Sequence, residues 1–406
     1  MRTTTWLMLA ASTIAACSWT QFDDLQRETW VTSSEKPDVK SSDFGVAIQR
    51  GARGGDGGTL VVLGAGQATY SELVYDPRGE VSLAATLELN TQYGIGNLDA
   101  QPILLADPTS DDVALVVSSG ASSIAVLTGA GEITLHQLFL SPSTADAATY
   151  LQPPPRTDPG HVGEAQPVAP LIASADYVAG TFYTNPPNPQ PRCKLTDTGN
   201  TIAPRALGAV SAGAFDDVLA WGAGGKLYRY PGSVFHCTTA QGPSASIDTG
   251  FAPGHGSQIL AIDGGRVVLQ GHHDADDAGF LQVFNATTLA PVGGPISLPK
   301  LRSAAILNSH GTSYVIAGYP TAIVDGKTSG EVMLFPISAA GLDAMPAATF
   351  SDAQPDDNEA FGRAVTAMPF NGTELVAIAA NNEIFMYFRA NLTDGTALYD
   401  ETRQGR

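Results

Sequence analysis

The chain has 406 residues, and its 40 acidic against 21 basic side chains leave a net charge of −19 with no Lys/Arg cluster. That balance excludes a nucleic-acid partner, and it excludes adhesion of the folded surface to anionic headgroups. Forty-three glycines, 27 prolines and 43% hydrophobic residues exclude disorder and suit many short strands joined by turns.

Taken in chain order, the first element is Met1 to Cys17. One charge at Arg2, an apolar run from Trp6 to Leu9 and small residues up to Cys17 make the three regions of an export signal. The run falls short of the about 20 apolar residues that a membrane-spanning helix needs. Ile14-Ala15-Ala16-Cys17 resembles a bacterial lipobox, so residues 1–16 are expected to be removed and Cys17 to carry lipid. Residues 17–40 then form a tether and a possible closing strand. Membrane association is expected through the acyl chains alone. Ser18 lacks the acidity that favours inner-membrane retention, which puts the expected address in the bacterial cell envelope, at the outer membrane.

From about residue 41 to 400 the chain repeats loosely. Clear heads stand at Phe44-Gly45-Val46-Ala47, Tyr93-Gly94-Ile95-Gly96, Leu207-Gly208-Ala209-Val210 and Phe361-Gly362-Arg363-Ala364. Weaker heads lie near Gln166-Pro167-Val168-Ala169, Ser257-Gln258-Ile259-Leu260 and Ser303-Ala304-Ala305-Ile306. Seven units at a period of about 53 residues match four-stranded propeller blades. Within units, pairs of strands are predicted at 59–64 and 71–75, 217–222 and 226–230, 314–318 and 330–335, and 374–380 and 383–388. Helices are expected to be rare, because no apolar period of 3.6 persists. The fold class is therefore all-β: a seven-bladed β-propeller behind a lipoprotein signal and short tether.

These heads and strands resemble the FG-GAP repeat of the integrin α-subunit propeller. Phe44-Gly45 and Phe361-Gly362 match its opening, Gly318-Tyr319-Pro320 approximates its middle, and Gly330 to Phe335 matches its closing strand. The resemblance implies acidic calcium loops, yet the loops here depart from that pattern. Gly55 to Gly58 and Asn371 to Glu374 each offer one carboxylate, and Asp99, Asp107, Asp111 and Asp112 lack the shaping glycine. No cofactor or metal is expected.

With Cys17 lipidated, Cys193 and Cys237 are left in an oxidising compartment and are expected to pair, on corresponding outer positions of neighbouring blades; two separate thiols are the alternative. His272-His273-Asp274-Ala275-Asp276-Asp277 is the densest set of metal-type ligands, but it sits where a polar hairpin tip is expected, and adjacent histidines of an extended loop point apart. Ala209 to Gly213 is a poor nucleophile elbow without a following helix. Gly94-Ile95-Gly96 and Gly222 to Gly225 read as turns. Asn285, Asn371 and Asn391 fit a glycosylation rule that a bacterial lipobox makes irrelevant. The proline runs at 151–156 and 184–192 read as stiff loops decorating the third unit.

A ring must also be closed. The segment Glu28-Thr29-Trp30-Val31-Thr32 is expected to complete the last sheet, in preference to Thr396 to Tyr399. Equivalent positions of successive units carry Gly, Ala and Val and not a convergent catalytic set. The expected function is accordingly a non-enzymatic scaffold binding a protein or a glycan. The rival is a propeller hydrolase or quinone-type dehydrogenase with its site at the channel mouth.

Overall fold

The computed structural model describes residues 29–31, 43–51, 58–65, 69–75, 81–88, 103–106, 113–119, 121–127, 133–137, 146–155, 162–166, 168–173, 178–180, 192–262, 265–273, 275–309, 312–352, 355–370, 373–381 and 383–388. Cys17 with the export signal, Asp56, Asp99, Asp107, Asp111, Asp112, Asp274, Asn371, Asn391, the head at Tyr93 and the proline run at 184–191 lie outside these residues.

The described residues are all-β: seven sheets of at least four strands each, antiparallel except where Ala240–Gln241 joins the third, and a two-stranded hairpin of Ile323–Val324 with Lys327–Thr328. The first sheet contains Asp43–Gly51, Gly58–Ala65, Thr69–Tyr75 and Val81–Glu88. In the second are Ile103–Ala106, Val113–Ser119, Ala121–Leu127 and Ile133–Gln137. Ala147–Leu151, Ala169–Ala173, Val178–Gly180 and Arg192–Asp197 make the third. The fourth has Pro204–Ser211, Asp216–Gly222, Lys226–Tyr230 and Ala245–Asp248; the fifth has Gln258–Ile262, Arg266–His272, Gly279–Asn285 and Pro291–Ser297. Ser303–Ser309, Thr312–Tyr319, Glu331–Ser338 and Ala348–Phe350 build the sixth. The seventh joins Ala364–Phe370, Thr373–Ala380 and Glu383–Phe388 to Thr29–Val31, from the other end of the chain.

The first strand of each sheet lies against the first strand of the next, and that of the seventh lies against that of the first. Neighbouring sheets therefore share their cores. Leu171 and Val178 of the third pack with Val218 and Tyr228 of the fourth. Val268 and Leu281 of the fifth pack with Val315 and Phe335 of the sixth. Ile48, Leu60 and Val62 of the first pack with Met368, Ala377 and Met386 of the seventh. Second strands are covered on both faces, so Leu60–Leu63, Val218–Trp221 and Val376–Ala380 are all fully buried and read as continuous apolar runs. Thr366 Oγ1 donates to Gln49 Oε1 at 3.3 Å across that same contact.

The Phe-Gly heads have a physical reason. Gly45 and Gly362 hold φ of +88° and +85°. A Cβ on Gly45 would stand 3.1 Å from the Ala380 carbonyl oxygen, and one on Gly362 would stand 2.8 Å from that of Glu331. Each head glycine thus turns the chain in a left-handed conformation while its backbone presses on the preceding sheet.

Three expectations are met in the described residues: the paired strands inside the units, the seventh sheet completed by Thr29–Val31 in register Thr29↔Tyr387 and Val31↔Phe385, and the Cys193–Cys237 disulfide. Others need correction. The third sheet begins at Ala147, and the expected head near Gln166 leads instead into its second strand; Asp146 to Leu151 contains no glycine to mark it, and prolines at 153–155 break the pattern that follows. The second sheet begins at Ile103, ten residues after the expected head at Tyr93.

The cysteines do not hold corresponding positions either. Cys193 is on the outer strand of the third sheet, whereas Cys237 follows the short 3-10 turn Gly232–His236 after the third strand of the fourth. Beyond it, Ala240–Gln241 pairs in parallel with Lys194 and Leu195. This connection crosses to the neighbouring sheet, covers its edge and is bolted there at a Cα separation of 5.1 Å.

Candidate functional site

From the third sheet through the seventh to the first, successive first strands begin on one side of the molecule, here called the head side, and end on the other, the tail side: Arg205 meets Asp146 and His255, Arg302 meets His272, Ser303 Oγ donates to the Gly362 carbonyl, and Gly45 lies against Ala380. The head side collects charged groups at the starts of successive first strands. Asp146 immediately precedes Ala147 and is fixed by its N–H donating to the Ala173 carbonyl at 2.9 Å. Arg205 occupies a β-bulge between Pro204 and Ala206, and such an extra residue re-aims a side chain. His255 stands on the loop before Gln258, and that loop is pinned by Gly254 N–H donating to the His272 carbonyl at 2.6 Å.

These three side chains meet. Arg205 Nη1 is 3.2 Å from Asp146 Oδ1 and donates to His255 Nε2 at 2.7 Å, while that ring nitrogen is 3.6 Å from the same carboxylate oxygen. An Nε2 that accepts from a guanidinium carries its proton on Nδ1, a tautomer assigned from the network. The Asp146 side chain is 6% exposed, that of Arg205 23% and that of His255 53%, so a buried anion anchors a cation and an imidazole that reach solvent. Burial raises the Asp146 carboxyl above its ordinary value, opposed chiefly by the charge of the Arg205 guanidinium.

A second polar layer lies between the fifth and sixth sheets. His272 is 1% exposed and its ring faces the Arg302 guanidinium, which also pairs with Asp277 at 2.5 Å. Gln270 is fully buried, with neither its amide oxygen nor its nitrogen bonded to protein among the described residues, and the Tyr319 hydroxyl is likewise without a protein partner. Burial raises the Tyr319 hydroxyl and the Glu331 carboxyl above their usual values.

The His272 to Asp277 segment is the expected hairpin tip, but it is not uniformly solvated. His273 turns outward and bonds Asp276 Oδ1 at 2.7 Å, which lowers the Asp276 carboxyl, whereas His272 turns inward and does not join them. Gly222 to Gly225 form a tight turn, with Gly225 N–H donating to the Gly222 carbonyl at 2.9 Å. Ser211 ends a strand that turns back into Asp216–Gly222, a strand-turn-strand and not a nucleophile elbow. Asn285 Oδ1 accepts from the N–H groups of Thr287 and Thr288 and serves the hairpin turn. Three carboxylates of the last units, Asp352, Glu359 and Glu383, bring oxygens within 4.8 Å of one another.

The sequence reading missed the Asp146, Arg205 and His255 cluster, whose members stand one before, second within and three before the first strands of their sheets. Placing the third unit at Gln166 left Asp146 outside any unit. The available signal was position: each of the three residues lies within three of the start of a first strand. No protein-family model matches the chain, and no curated protein is detectably similar to it.

Proposed function

We propose that this chain is an exported, lipid-anchored, FG-GAP-like β-propeller of seven blades, and that it serves the bacterial outer membrane as a non-enzymatic binding scaffold for a protein or a glycan. The observation that carries this reading is the cyclic order of first-strand contacts, from the first sheet through the seventh and back, together with one head side on which three successive sheets contribute a single charge cluster. Propellers display ligands at such mouths, and the loops that start the first strands are free to vary without touching the shared cores. A solvent-reaching guanidinium and imidazole over a buried carboxylate offer donors to hydroxyl or carboxylate groups of a ligand.

A propeller enzyme is the second reading, and the Asp146 to His255 contact favours it. Against it, the carboxylate is shared with Arg205 and the imidazole Nε2 already accepts from that guanidinium, so neither group is arranged as a base toward solvent.

The test uses the mature chain with Cys17 replaced by alanine, immobilised and presented with an array of bacterial envelope glycans. In parallel, a photo-crosslinking residue at position 255 is irradiated on intact cells expressing the full chain. Binding or crosslinking that is lost in Arg205→Ala supports the reading. Turnover of a panel of chromogenic esters and glycosides, abolished by His255→Ala, would replace it with the enzyme reading.

A further inference from the structure

We propose that the anchored protein stands on the bilayer with its tail side toward the phospholipid, and that the Asp146, Arg205 and His255 cluster is turned away from the membrane. This rests on the reading that Cys17 is lipidated, and it goes beyond that reading by fixing which surface the lipid meets.

The argument begins with strand direction in the seventh sheet. Glu383–Phe388 starts on the head side, opposite Ala380, and ends on the tail side. Thr29 pairs with Tyr387 and Val31 with Phe385, so the chain enters this sheet from the tail side and runs toward the head. The tether from Cys17 therefore joins the folded body at the tail end of its outermost strand.

Length decides what that entry allows. Cys17 and Thr29 are twelve residues apart, a span that reaches at most about 40 Å even when fully extended. Strands of seven or eight residues give each sheet a height of about 25 Å. A head-down posture would spend more than half of the greatest possible reach in climbing the rim of the sheet, before the head-side loops are cleared. Tail-down, the same span has nothing to climb.

The experiment uses the full, lipidated chain carrying one added cysteine, either Asp357→Cys on the head side or Asp343→Cys on the tail side, both exposed. Each is labelled with a thiol-reactive fluorophore and placed on vesicles of phosphatidylcholine and phosphatidylglycerol that contain a spin-labelled headgroup quencher. Flotation is measured first, with Cys17→Ala alongside. Quenching several-fold stronger at position 343 than at 357 is the expected result. Equal quenching, or stronger quenching at 357, in protein that floats through Cys17 overturns the orientation alone. Failure to float, or flotation that survives Cys17→Ala, overturns the lipid-anchor reading and the orientation with it.

Discussion

Breaking the Cys193–Cys237 disulfide offers a sharp quantitative test of how the third and fourth sheets are held. The bond closes a loop of 44 residues, for which chain entropy in the unfolded state corresponds to about 4 kcal/mol. An unfolding entropy of about 2.1 cal/mol/K per residue over the roughly 270 described residues is about 0.57 kcal/mol/K, so the whole effect amounts to a fall in Tm of about 7 °C. Cys193 is fully buried among Leu195, Val178 and Tyr230, so the clean comparison is reduced against oxidised wild type, with Cys193→Ala/Cys237→Ala as the second arm. Calorimetry reads the global shift. Hydrogen exchange reads the local one, because Lys194 N–H donates to the Thr239 carbonyl at 2.9 Å within the strap that the bond holds down. Faster exchange at Lys194 on reduction is expected. Oxidised and reduced protein melting within about 1 °C of one another, with Lys194 protection unchanged, would refute the reasoning.

Three further outcomes are expected. Burial raises the Asp146 carboxyl above 3.8, so the folded chain keeps that proton to higher pH than the unfolded chain does; its contribution is complete below about pH 4 and is lost as pH rises through the folded pKa. Asp146→Asn should therefore flatten the stability profile just above pH 4, as followed by urea unfolding across pH, and an unchanged slope would count against the burial argument. Tyr319→Phe and Gln270→Met remove polar atoms without protein partners, whose burial costs about 1–3 kcal/mol, so urea midpoints should hold or rise; a clear fall would reveal buried water bridging them. Deleting residues 28–34 bares the edge of Glu383–Phe388, and should lower Tm in one cooperative step and promote light scattering on heating; an unchanged melt would show that the strand Thr29–Val31 contributes nothing to closure.

Much of the architecture was legible in the residues themselves. Apolar runs such as Leu60–Leu63 and Val376–Ala380 announce strands covered on both faces, and Phe-Gly at 44 and 361 marks a turn that only glycine makes beside a neighbouring backbone. The alternation around Trp30 sufficed to name the closing segment, since a last sheet one strand short needs a partner from elsewhere in the chain. Setting Cys17 aside and expecting an oxidising compartment led to the pairing of Cys193 with Cys237, and the two form a disulfide.

Tertiary structure decided what depends on the meeting of distant segments. The start of the third sheet at Ala147 carries no glycine and is followed by prolines, so only its pairing with Ala169–Ala173 identifies it. Arg205 reaches Asp146 because of a bulge whose register shift exists only in the paired sheet, and His255 joins them from a loop fixed by the backbone of His272. His272 and His273, adjacent in sequence, have opposite fates because strand pleating sends successive side chains to opposite faces, one against Arg302 and one to solvent. Composition and period thus determine which residues become strands, while the assembly of neighbouring sheets determines which charges come together on one side, because those contacts join residues 50 or more positions apart that no local pattern links.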